Sequence, residues 1–188
     1  MHILCDTSSL MMLLRIASDL FTDPRYECVT VQQVYEEYTQ TQKFKTKYPW
    51  RDQYKKHVRA RPRSVIENDD YRRALRAIIL IESTAMNERT GQRFSLSRRD
   101  REIGAGVVAH KYTITATDRN LVDFLDQKFE VGSVAPLGLV NDWLEKTLFK
   151  WDDFRQSVLD DWIVCNERPQ PTDEIARFEK LTGRKYPK

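Results

Sequence analysis

Cysteine is scarce in this 188-residue chain, and the three present, Cys5, Cys28 and Cys165, are odd in number and widely spaced. None forms a CxxC pair. Neither a disulfide framework nor a zinc site is expected, and a reducing compartment fits. Long apolar runs are missing too. Leu10–Leu14 and Ala77–Ile81 fall far short of the roughly 20 residues a membrane-spanning helix needs. Asp6 interrupts the first apolar run and no basic stretch precedes it, so no secretory leader is expected. The expectation is a cytoplasmic protein with no membrane partner. Glycine and proline are few, and no internal repeat or low-complexity stretch occurs. Excess charge of either sign is also lacking. The net charge of +3 identifies no partner, so the distribution of charge must.

What is present is an alternation of short apolar runs with helical patterns. Residues 2–5 read as a buried strand ending at Asp6. Thr7 or Ser8 caps a helix through Leu20, with Leu10, Leu13, Leu14 and Ala17 on one face. Residues 27–31 form a second strand, followed by a helix over about 32–42. After a break at Tyr48-Pro49, a helix is predicted over 67–89, ended by Gly91. Ser97 caps another to His110, residues 112–117 are a strand ending at Asp118, and a short helix reaches Leu125. A weaker strand is expected over 129–134, then helices over 136–148, 151–164 and 173–182. Strands alternating with helices imply a parallel sheet covered on both faces, an α/β fold. The expected division is a domain over 1–140, containing a basic helical segment at 40–95, and a helical extension over 141–188.

In such sheets, ligands bind at the carboxyl ends of the strands. Two predicted strands end in aspartate, Asp6 and Asp118. Glu37 lies on the helix after the second strand. Asp100 lies in the first turn of a helix, on the same face as Ile103 and Val107. Carboxylates at a core edge are costly unless paired or bound to a cation. Each also has a plain structural reading. Asp6 and Asp118 suit helix N-caps, Glu37 sits beside Glu36 on a helix surface, and Ser97 with Asp100 spells a capping box. The joint pattern of four acids favours a cation site.

That pattern resembles the PIN-domain nuclease family. Ile3-Leu4-Cys5-Asp6-Thr7-Ser8-Ser9-Leu10 looks like its first motif, and Val31–Tyr38 is similar to its second, with Glu37 preferred over Glu36. Asp100–Ala109 looks like the third and Ile114–Leu121 like the fourth. The resemblance covers about residues 1–135. It implies a three-layer α/β/α sandwich around a parallel sheet, with Asp6, Asp100 and Asp118 binding Mg²⁺ or Mn²⁺ and Glu37 completing a catalytic acid set. It implies RNA as substrate, hydrolysed endonucleolytically, and includes VapC-type toxins, hence an antitoxin protein or a homodimer as partners. Asn120 stands where members often carry a further acid, with Asp123 as an alternative, so one metal ion is expected rather than two. Thr117 is expected to bond a ligand carboxylate or a phosphate. The long gap from Glu37 to Asp100 and the extra tail depart from a compact toxin.

Residues 43–63 carry nine lysines and arginines against a single acid, Asp52. Lys43, Lys45, Lys47, Arg51, Lys55, Lys56 and Arg59 are therefore expected to contact nucleic-acid phosphates. Phe44, Tyr48, Trp50 and Tyr54 are interleaved, either to stack on bases or to fill the core. Arg98, Arg99 and Arg101 add positive charge around Asp100. Gly104-Ala-Gly106-Val-Val-Ala109 spells a dinucleotide fingerprint, but no strand immediately precedes it, so close helix packing is expected. Two other readings stand beside a ribonuclease: a non-catalytic scaffold that binds RNA or protein, and a DNA nuclease using the same chemistry.

Overall fold

The computed structural model describes residues 3–26, 28–58, 68–165 and 170–187. Three strands form a parallel sheet: β1 (Ile3–Cys5), β2 (Cys28–Val29) and β3 (Thr113–Thr115), in the order β2-β1-β3. Ile3 pairs with both Cys28 and Thr113, and Cys5 with Thr115. All three residues of β1 are buried, as a central strand covered on both faces requires. The chain is thus α/β with a parallel sheet, as expected.

Helices connect the strands. These are α1 (Thr7–Ile16), α2 (Gln32–Gln40), α3 (Gln42–Lys47), a 3-10 helix (Pro49–His57), α4 (Asp69–Glu82), α5 (Arg98–His110) and α6 (Arg119–Phe129). Then come α7 (Pro136–Glu145), α8 (Asp153–Val164) and α9 (Thr172–Thr182). Among the described residues, no helix is long and apolar enough to cross a membrane.

Several boundaries differ from expectation. Helix α1 stops at Ile16, where the Arg155 Nε–H donates to the Ile16 carbonyl at 3.0 Å. The same α8 contact explains why Met11 and Met12 are buried together with Leu10, Leu13 and Leu14. A helix covered on two sides has no solvent face, so its amphipathic pattern is lost. Helix α4 ends at Glu82, before the expected Arg89. Residues 85–94 instead form a hairpin, with the Asn87 N–H donating to Gln92 O and the Phe94 N–H to Ala85 O. Gly91, at φ +68°, serves that turn and not a helix end. The expected strand over 129–134 reduces to one parallel bridge, Ile114 to Ser133, because α6 runs on to Phe129.

The chain after residue 140 packs into the same core. Trp143, Trp162 and Phe178 are buried, α8 lies on α1, and α9 lies on α7. Gly104, within α5, faces the side chains of Ile78 and Leu125. The small residues there serve helix packing, as expected. All three cysteines are free thiols, and Cys5 and Cys28 are buried on adjacent strands.

Candidate carboxylate cleft

A cleft of about 280 Å³ opens beside the carboxyl ends of β1 and β3. Asp6, Glu37, Asp100 and Asp118 all line it, although they come from segments up to 112 residues apart. Thr7, Ser8, Lys47, Ser97, Arg99 and Thr117 complete its polar wall, while Phe44 and Ile103 give it an apolar side. Glu36 borders a second, outer groove and not this cleft, whereas Glu37 borders both, so the helical turn of α2 selects Glu37 as the inward acid.

Asp6 bridges two elements. Its Oδ1 accepts from the Ser9 N–H at 2.7 Å, capping α1, and its Oδ2 accepts from the Thr117 N–H at 3.0 Å. The Thr117 hydroxyl adds a longer contact at 3.4 Å. Burial pushes the Asp6 carboxyl above its ordinary value, the Ser9 and Thr117 donors oppose the rise, and the neighbouring Asp118 charge adds to it. Asp118 caps α6 through the N–H groups of Asn120 and Leu121. Asp100 forms a reciprocal capping box with Ser97, at 3.0 and 3.1 Å. For these three acids the capping role and the position in the cleft hold together, because strand ends and helix starts meet at the same edge of the sheet.

Glu37 is held differently. Its Oε1 pairs with Arg99 at 2.6 Å, and its Oε2 accepts a short hydrogen bond from the Thr7 hydroxyl. Each cleft carboxylate is therefore engaged with a protein donor. Among the described residues no group of three His, Cys, Asp or Glu side chains is arranged to hold a metal ion. The donor chemistry nevertheless suits a hard cation, since four carboxylates and no thiol or imidazole face the cleft.

The other expected residues divide. Lys47 lines the cleft and Lys45 is exposed. Lys55 is half-buried and paired with Asp52 at 2.8 Å, while Lys56 is exposed. Arg51 is 1% exposed, with its guanidinium donating to Thr41 O and Thr39 O. It ties α2 to the 3-10 helix and is withdrawn from any phosphate, a correction to the expected basic surface. Arg59, Arg61, Arg63 and the Lys43 side chain lie outside the described residues. The interleaved aromatics contact one another in tilted and edge-to-face pairs, Phe44 to Tyr48 to Trp50 to Tyr54, at centroid spacings of 5.6–5.8 Å. They pack against the core, and Phe44 alone of the four reaches the cleft. Asp123 is buried away from the cleft, paired with Arg89 at 2.8 Å. It does not replace the acid missing at Asn120, whose own side-chain amide donates to Ser95 O. The roles of Thr7 and Lys47 at the cleft are set by tertiary packing. The Asp6-Thr7 dipeptide is the local sign of the first, and the basic run at 43–63 that of the second.

Comparison with known proteins found no matching family model, no matching curated protein and no matching solved structure.

Proposed function

We propose that this chain is a divalent-cation-dependent endoribonuclease of the PIN type, with its sheet and helices organised as a three-layer sandwich. One observation carries the reading: four acids singled out in the sequence, from four separate segments, line a single cleft at the carboxyl ends of parallel strands. Asp6, Asp100 and Asp118 would hold the cation, with Glu37 completing the acidic wall. When bound, Mg²⁺ or Mn²⁺ supplies charge neutralisation at the phosphate and lowers the pKa of water. The chain's own groups do the rest. The Ser9 and Thr117 N–H groups orient Asp6. Thr7 orients Glu37. Lys47 and Arg99 supply positive charge for the phosphodiester.

The test is cleavage of a labelled single-stranded RNA by the purified protein with Mn²⁺ or Mg²⁺. Internal cuts that EDTA abolishes and added Mn²⁺ restores support the reading. Uncut RNA at every cation concentration contradicts it. A requirement for the 2′-hydroxyl separates RNA from DNA as substrate.

A second reading has its own support. Every cleft carboxylate already has a protein donor, and among the described residues no group of three His, Cys, Asp or Glu side chains is arranged for a metal. A scaffold that binds RNA or a protein partner without cutting would look the same. RNA binding with no effect of Mn²⁺ on melting temperature or cleavage would favour it.

A further inference from the structure

A second pocket, of about 330 Å³, lies on the other side of Thr117. Thr117 borders both this pocket and the carboxylate cleft. Its size suits a small organic ligand. Val122, Val134, Pro136 and Pro171 give it apolar walls, and Ser133 and Thr172 place hydroxyls at its edge. Apolar walls with a few polar groups suit an unstacked base.

Gln170 supplies the specific signal. Its side chain is 6% exposed and lines the pocket. The Leu137 N–H donates to Gln170 Oε1 at 3.0 Å. A backbone N–H only donates, so the amide orientation is settled: the oxygen faces Leu137 and the NH₂ group is the other end. That NH₂ group makes no hydrogen bond to a described residue and is not sealed from the pocket. An accessible amide donor with no described partner is available to an acceptor on a ligand. At the rim, the exposed Arg119 makes no ion pair with a described residue. Arg119 lines this pocket, and Asp118, its neighbour in the chain, lines the cleft.

We propose that this pocket is a nucleobase subsite for a nucleotide flanking the scissile phosphate, and that Gln170 selects a base with a ring carbonyl, uracil in the first instance. The amide NH₂ donates to the carbonyl, and the rim hydroxyls accept from the ring N–H. Adenine has no ring carbonyl, and at its pairing edge the ring-nitrogen acceptor is flanked by an amino donor, which makes it the poorer partner for the Gln170 NH₂. The placement beside the phosphodiester rests on the nuclease reading; the pocket and its donor do not.

Nucleoside binding to the full-length, isotopically labelled protein tests this by chemical-shift titration with uridine and adenosine. Wild type is expected to bind uridine about fivefold more tightly than adenosine, the scale of one net hydrogen bond. Shifts are expected at Ser133, Thr117 and Thr172. Gln170→Glu keeps an oxygen for the Leu137 N–H and turns the free end into an acceptor, so the order should reverse to favour adenosine. Ala135→Trp, filling the pocket from its wall, should abolish both. Equal binding of the two nucleosides, absence of binding, or an order unchanged by Gln170→Glu overturns the proposal. The two readings fail separately. Mn²⁺-dependent cutting with no dependence of cut-site preference on residue 170 removes the subsite alone. Uridine selection without any cutting removes the nuclease alone.

Discussion

Glu37 and Arg99 form an ion pair at 2.6 Å where the carboxylate cleft meets the outer groove, one residue on α2 and the other on the first turn of α5. The pair gives the cleft a cation of its own. Arg99 neutralises one acid of the cleft wall, and it brings positive charge next to Asp100.

Arg99→Ala should therefore separate two properties. Cation binding should tighten, by about threefold to fivefold, because the half-exposed pair is worth no more than about 1 kcal/mol. The KM for RNA should rise, because a phosphate donor is lost. Mn²⁺ titration of the melting temperature reads the first effect and steady-state kinetics the second. Unchanged values for both would show the pair to be incidental.

Lys47→Ala should weaken RNA binding for all sequences alike and lower the slope of log affinity against log salt by about one. Arg51→Ala should instead unfold the chain at lower temperature, since Arg51 is buried on backbone carbonyls. Binding isotherms at several salt concentrations, with a melting curve for each variant, distinguish the two residues.

These two residues also mark how far the sequence could be read. The periodicity of residues 43–63 announces charge, yet the fold turns Lys47 into the cleft and Arg51 into the core. Local sequence carries no signal of that choice, which is made by the packing of α2 against the 3-10 helix. The acids were legible because strand ends place Asp6 and Asp118, and a helix start places Asp100. The strand starts and most helix starts were legible for the same reason, through apolar runs and capping residues. The helix ends at His110, Val164 and Thr182 were legible as well, but others were not. Helix α4 stops at Glu82 because that carboxylate accepts from the Leu96 N–H, fourteen residues on, and pairs with Arg101.

That contact carries a pH dependence. Burial alone would raise the Glu82 carboxyl, but the Arg101 guanidinium and the Leu96 N–H outweigh it and hold the group below its ordinary 4.5. A folded-state pKa below the unfolded value means the unfolded chain binds more protons in that window. The added stability is present above about pH 4.5 and is lost as the pH falls through the folded value. Glu82→Gln should cost roughly 1–3 kcal/mol at neutral pH, with the difference from wild type shrinking under acid. Urea unfolding at pH 7 and at pH 3.5 measures it, and an equal difference at both would refute the assignment.

Gly104 tests the packing of α4, α5 and α6. A Cβ there would lie 3.2 Å from Ile78 Cδ1 and 3.3 Å from Leu125 Cδ2. Those methyl ends can shift by a few tenths of an ångström, and alanine gains helix propensity, so Gly104→Ala should be close to neutral. Gly104→Val should lose about 1–3 kcal/mol by overpacking. Thermal denaturation of both variants gives the comparison.

The central claim is that Asp6 acts at the carboxylate cleft as a cation ligand and not only as a helix cap. Asp6→Asn retains an acceptor oxygen for one of its two N–H partners, so the variant should fold with a native circular dichroism spectrum. Its Mn²⁺-dependent rate of RNA cleavage should nevertheless fall on the order of a thousandfold or more, the scale of several kcal/mol of lost transition-state stabilisation. A folded Asp6→Asn protein that cleaves RNA at the wild-type rate would contradict the account.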